Sequence, residues 1–183
     1  FGDIDALVGV LNKNTAAFVV EPVQGEGGIN IPNSKYLKEA EYFCRNNGAL
    51  LVLDEIQTGF GRTGTMFAHQ ASGIKPDLLI LGKAISGGSG LPISAVLGRE
   101  GIMEVLDPGS EGSTFGGSPL ACAVGCEVID ILNEDTGFVE RAREVGEYFL
   151  NELKKIESPK IKEVRGRGLL IGIELNPDVD ADN

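Results

Sequence analysis

Three short runs in this chain carry almost no polar residue: "AAFVV" (16–20), "ALLVL" (49–53) and, after its opening acid, "DLLIL" (77–81). A half-buried strand alternates apolar with polar residues. A run without alternation is a strand covered on both faces, as in a mostly parallel sheet flanked by helices. Parallel strands cannot be joined by tight hairpins, so crossover segments must lie between them. One is legible. "SKYLKEAEYFCRNNG" puts Tyr36, Leu37, Ala40, Phe43 and Cys44 on one helical face, with Asn33 or Ser34 as N-cap and Gly48 past the end. "ISAVLG" (93–98) is a fourth candidate strand. The expected class is therefore α/β with a mostly parallel sheet.

The second half changes character. "SPLACAVGCEVIDILNE" opens with Ser118 as N-cap and Pro119 at the first helical position. From Phe138 the apolar residues fall at 138, 142, 145, 149, 153 and 156, a helical stripe. "IKEVRGRGLLIGIEL" reads as two short strands around a turn at 166–168, and the acidic "NPDVDADN" as a frayed end. This divides the chain into an α/β core over 1–117, linking helices over 118–157 and the start of a small α+β domain over 158–183.

Composition removes several classes of function. With 16 Lys+Arg against 27 Asp+Glu the net charge is −11, and no basic stripe is present, which argues against a nucleic-acid partner. The longest apolar runs fall far short of the roughly 20 residues of a membrane span. Cys44, Cys122 and Cys126 have no metal-ligand spacing and read as small buried hydrophobes in a reducing compartment, so the expected location is cytoplasmic, with the mitochondrial matrix as the alternative. With one histidine, His69, neither a His-based metal site nor a Ser-His-Asp triad can be assembled; no metal is expected, and His69 is given no role.

Ligands of open α/β sheets bind beyond the carboxyl ends of the strands. Three of the runs end in ionisable residues, Glu21, Asp54 and Lys83, each followed by a glycine-rich loop. Singly, the acids read as helix caps and the lysine as a solvated side chain. Together they describe a cleft holding an amine and two carboxylates. An amine short of water has its charged form disfavoured and becomes nucleophilic, able to bond a carbonyl as a Schiff base. Small neighbours such as Gly87 and Gly88 leave it room to swing.

The motifs "EPVQGEGGINIP", "LVLDEIQTGFGRTG", "LLILGKAISGG" and "GSTFGGSPLACAV", in that order, resemble the class III aminotransferases, pyridoxal-phosphate enzymes of fold type I. Within that family the wording is most similar to the ornithine aminotransferases, with the acetylornithine aminotransferases as near neighbours. The resemblance implies the large fold type I domain, pyridoxal phosphate as cofactor, an amino acid and a 2-oxo acid as substrates, and a homodimer or higher oligomer with shared sites. It implies transfer of the δ-amino group of ornithine to 2-oxoglutarate, giving glutamate semialdehyde and glutamate. Lys83 corresponds to the lysine bonded to the cofactor, which also carries the proton. Asp54 matches the partner of the pyridine nitrogen, and Gln57 the side chain near the phenolic oxygen. Ser113 and Thr114 match a phosphate-binding pair that serves the neighbouring subunit. Glu26 matches the acid that pairs with a substrate-binding arginine and gates the two half-reactions, and Glu21 another active-site acid. Arg62, in "GRTG", fits a structural ion pair as well as a ligand contact.

The loop over 87–92 is one residue longer than the family spacing. The family's upstream phosphate cup and its later substrate arginine have no counterpart here. The expectation is an internal fragment of a longer protein, with little or no activity alone. The alternatives are another ω-aminotransferase, a mutase or decarboxylase using the same lysine, or a silent oligomerisation or binding fragment.

Overall fold

The computed structural model describes residues 1–134 and 137–177. Most of the acidic end expected to fray, residues 178–183, lies outside the described residues. A short helix, α1 (Ile4–Val10), precedes strand β1 (Ala17–Val20), helix α2 (Tyr36–Asn47), and strands β2 (Leu50–Asp54), β3 (Leu78–Leu81) and β4 (Ala95–Gly98). The strands form one sheet in the order β1-β2-β3-β4. β1, β2 and β3 run parallel, with Val20 beside Leu53 and Asp54 beside Ile80; β4 is an antiparallel edge. The non-alternating runs are the parallel strands; β2 is buried on both faces as expected, but β1, at the sheet edge, is open on one, with Val19 58% exposed.

Helix α2 forms where the stripe predicts and buries Tyr36, Leu37, Ala40 and Cys44. It begins at Tyr36, and Asn33 caps it from outside, its Oδ1 accepting from Lys35 N–H (2.9 Å) and Tyr36 N–H (3.0 Å). Gly48, at φ 71°, closes it in the left-handed conformation, and Ala49 N–H reaches back to Cys44 C=O. Burial pushes the Cys44 thiol up from its ordinary range, with the Asp77 carboxylate adding to the effect, so Cys44 is an inert core residue. Asp77 is buried just before β3. Its Oδ2 accepts from Leu51 N–H at 2.7 Å, and the Arg99 guanidinium meets its other oxygen.

A four-residue helix, α3 (Glu100–Met103), leads into an irregular stretch and then helix α4 (Pro119–Asn133). α4 packs on the 3-10 turn Lys83–Ser86, where a side chain on Gly87 would come within 2.8 Å of Val128. Cys122 and Cys126, expected to be buried, are exposed, because the face of α4 that carries them has nothing packed on it among the described residues. Helix α5 (Phe138–Lys154) leads to the antiparallel hairpin β5 (Ile161–Arg167) and β6 (Leu170–Leu175). The predicted stripe of α5 is only partly buried. Ala142, Val145 and Leu153 are half-buried, Phe138, Phe149 and Ile156 are exposed, and the one buried position is Gly146. There α5 meets backbone instead of side chains: a Cβ on Gly146 would lie 2.1 Å from Gly168 O. The hairpin tip is pinned on its other side too, with Leu169 N–H donating to Arg62 C=O at 2.9 Å.

Candidate active site

Parallel pairing of β1, β2 and β3 brings Glu21, Asp54 and Lys83 to one end of the sheet. Lys83 follows Gly82 and opens the 3-10 turn with φ 46°. A non-glycine residue holds that conformation only when its surroundings over-determine it. Packing of α4 on this turn, through Gly125 against Ile85 and Val128 against Gly87, supplies the constraint. Lys83 lines a cavity of about 620 Å³ with Ile56, Gln57, Arg62, Gly87, Gly88 and the hairpin-tip residues Leu169 and Leu170. The amine has no hydrogen-bond or ion-pair partner among the described residues.

One expectation needs correcting. The sequence suggests an amine shielded from water, but Lys83 is exposed. It stands two residues beyond the end of β3 at Leu81, at the rim of the sheet, so only its backbone is held by the core. The loop after it turns on three left-handed glycines, Gly87 (φ 58°), Gly88 (φ 74°) and Gly90 (φ 79°).

Asp54 ends β2. Its Oδ1 accepts from Ile56 N–H at 2.9 Å, and Oδ2 has no partner among the described residues. It lines a second cavity, of about 530 Å³, with Glu21, Gln24 and Tyr36 rather than the lysine cavity. Burial raises the Tyr36 hydroxyl above its ordinary range, so it stays protonated there.

Glu21 turns inward to its own loop, with Oε2 accepting from Gly25 N–H at 2.9 Å. The loop is closed by paired backbone bonds between Gln24 and Asn30, and by the Asn30 amide on Gln24 Oε1 and Gly27 C=O. Glu26, exposed on this loop, accepts from Gln57 Nε2 at 3.2 Å. Gly25 leaves room for that approach, since a Cβ there would lie 2.4 Å from Gln57 Oε1 and push the amide aside. Gln57 therefore joins the Glu26 loop to the lysine cavity. Ser113 and Thr114 are exposed on the stretch before α4 and do not line the lysine cavity; Ser113 Oγ accepts from Gly116 N–H. Arg62 does line it, is exposed, and has no ion pair among the described residues, so the structural ion pair considered for it is absent.

The sequence reading passed over one residue. Glu55 is 0% exposed and accepts from Thr58 Oγ1 (2.9 Å), Ala68 N–H (2.7 Å) and His69 N–H (2.9 Å), with the His69 ring nitrogen Nδ1 at 2.7 Å. A fully satisfied buried carboxylate of this kind locks the 55–58 turn, and Gln57 with it, to the segment at 68–69. The chain's one histidine is thereby structural. The only hint in the sequence was a second acid directly after Asp54. Burial also lowers the Arg167 guanidinium from its ordinary value, opposed by the nearby Glu55 carboxylate.

The donor set fits a cofactor with an aldehyde and a pyridine nitrogen: an amine without a partner on a constrained backbone, a carboxylate with an uncommitted oxygen on the neighbouring strand, and an amide in the wall of the lysine cavity. A family model described as aminotransferase class III matches residues 2–183. The ornithine aminotransferase of Staphylococcus carnosus is 56% identical over 178 residues, covering 97% of this chain and 44% of that protein. An ornithine aminotransferase from Toxoplasma gondii, whose crystal structure has partial occupancy of PLP at its active site, superposes with TM-score 0.93 at 48% identity, over 97% of this chain and 42% of that one. An acetylornithine aminotransferase from Elizabethkingia anophelis superposes with TM-score 0.91 at 46% identity, over 98% and 46%. The chain thus spans less than half the length of these relatives.

Proposed function

The chain belongs to the class III aminotransferases, and on that premise we propose that it supplies the lysine-bearing part of an ornithine aminotransferase. The observation that carries this reading is Lys83, without a partner and fixed at φ 46°, lining the cavity that Gln57 also lines. Pyridoxal phosphate, when bound, supplies an aldehyde for the donor amine and a ring that takes up electrons. Lys83 would hold it and would move the proton at the amine-bearing carbon. Asp54, through its uncommitted Oδ2, would keep the ring nitrogen protonated, and Gln57 would hold the ring's oxygen. Over the full cycle the δ-amino group leaves ornithine, giving glutamate semialdehyde, and 2-oxoglutarate receives it, giving glutamate.

One site must then take a cationic amine and, in turn, a dicarboxylate. Glu26, exposed beside Gln57, is the acidic half of a switchable Glu–Arg pair that lets the site take both in turn. Glu21, committed to Gly25 N–H, serves the site by holding that loop. Ser113 and Thr114 serve the phosphate of a second copy. Their distance from the lysine cavity supports this, as does the neighbouring apolar surface, with Phe115 84% exposed and Val105 76%.

Likeness to an acetylornithine aminotransferase favours a second reading, in which the donor is acetylated. The two separate in a half-reaction on the full-length protein loaded with pyridoxal phosphate. Ornithine should convert the cofactor to its amine form at least about tenfold more efficiently than acetylornithine, a difference of about 1.4 kcal/mol. Equal conversion, or a preference for acetylornithine, overturns the ornithine assignment.

A further inference from the structure

The Glu26 loop is closed on itself by the paired Gln24 and Asn30 backbones and by the Asn30 amide. Gly25, Gly27 and Gly28 make it permissive, yet Ile29 sits at φ 55°, a conformation L-residues seldom adopt. Contacts from outside the loop add to that hold. At its start the Glu21 carboxylate does so through Gly25 N–H. At its far end stands Arg165, from β5, more than 130 residues away in sequence. Its Nη2 donates to Gly28 C=O at 2.7 Å, and its Nε to Gly28 C=O at 3.0 Å and Ile29 C=O at 3.2 Å. Its Nη1 donates to Glu163 Oε2 at 2.7 Å and to Glu174, so the guanidinium is itself aimed by two carboxylates and is only 19% exposed. Gly172, paired with Arg165 across the hairpin, lets the loop approach, since a Cβ there would lie 3.0 Å from the Ile29 side chain. The same hairpin places Leu169 and Leu170 in the wall of the lysine cavity.

We propose that Arg165 is a positioning residue for Glu26. By gripping the carbonyls of Gly28 and Ile29, two and three residues past the acid, it keeps Glu26 against Gln57 beside the lysine cavity and so sets how the site receives a cationic donor. This rests on the reading of Glu26 given above. The planar fork is the feature that matters, because a lysine cannot span two carbonyls while meeting two carboxylates.

The test uses the full-length protein, with Arg165→Gln and Arg165→Lys made in the wild-type and Glu26→Gln backgrounds. Without any ligand, amide hydrogen exchange in the peptide covering 25–30 should speed up about tenfold in Arg165→Gln, a local opening easier by about 1.4 kcal/mol, while β2 stays protected. In the loaded enzyme, the KM for ornithine should rise about tenfold with kcat within about twofold. In the Glu26→Gln background Arg165→Gln should add less than about a twofold change, since both act through one contact. If Arg165→Gln does not fold, Arg165→Lys should give smaller changes of the same sign. Unchanged exchange over 25–30 overturns the clamp. Equal losses with and without Glu26 overturn the positioning role and leave Arg165 as a fastener of the hairpin. A wild type that moves no amino group refutes the function and the role of Glu26 with it, and the exchange measurement still decides whether Arg165 holds the loop.

Discussion

Gly146→Ala sets two effects of opposite sign against each other. Alanine in a helix interior is favoured over glycine by about 1 kcal/mol, so in open space the substitution stabilises. At Gly146 there is no open space. The new Cβ would stand 2.1 Å from Gly168 O, 2.3 Å from its carbonyl carbon and 2.7 Å from its Cα. These are backbone atoms of a turn already pressed on its far side, where a Cβ on Gly168 would lie 2.5 Å from Thr63 C. Neither backbone can rotate away as a side chain would, so α5 and the hairpin tip must part by about 1 Å to recover ordinary contact. Overpacking of this kind costs about 3 kcal/mol at the upper end of its usual range, leaving a net loss of about 2 kcal/mol after the helix gain. The assay is equilibrium urea unfolding of the full-length protein, with Gly9→Ala as the control. Gly9 lies in α1 with nothing within 4 Å of its Cβ position, so that change should be neutral or stabilising by up to about 1 kcal/mol. A Gly146→Ala protein as stable as wild type would refute the contact between α5 and the hairpin.

Two other predictions concern buried and exposed charge. Glu55→Gln removes a carboxylate that accepts from two backbone amides and a hydroxyl and faces the His69 ring. The loss should be about 3–5 kcal/mol, read as a fall in Tm, and a shift under about 1 kcal/mol would contradict the network. Lys162 first, and then Arg165, hold the Glu174 carboxyl below the usual carboxylate range. The folded value lies below the unfolded one, so the hairpin's gain from this group is whole above about pH 4.3 and is lost as acid takes the pH down through the folded value. The stability difference between wild type and Glu174→Gln should therefore be flat at neutral pH and shrink on acidification; a difference that grows toward acid would contradict it.

What the sequence could disclose follows from the range of the interactions involved. The parallel strands and α2 were legible because non-alternating runs, a capping Asn33 and a terminal Gly48 act within a few residues. Strand ends carrying Glu21, Asp54 and Lys83 share one end of the sheet for the same reason, since parallel pairing aligns their carboxyl ends, although the two acids and the amine line separate cavities instead of one cleft. Contacts made across the fold were not legible. Glu55 satisfies itself with residues 68 and 69, Arg165 reaches a loop more than 130 positions away, and Gly146 meets the Gly168 backbone where side-chain periodicity has nothing to report. The exposure of Lys83 escaped for a related reason: an apolar run shows that the strand is buried but not that its covering stops one residue short of the amine.

The central claim is that Lys83 holds the cofactor. The most direct test is borohydride reduction of the full-length protein with pyridoxal phosphate, followed by peptide mass mapping. The pyridoxyl mass should sit on Lys83, with other lysines labelled only at trace level, and the label should be lost in Lys83→Ala while the protein stays folded. Label spread over several surface lysines, or undiminished in Lys83→Ala, would contradict the account.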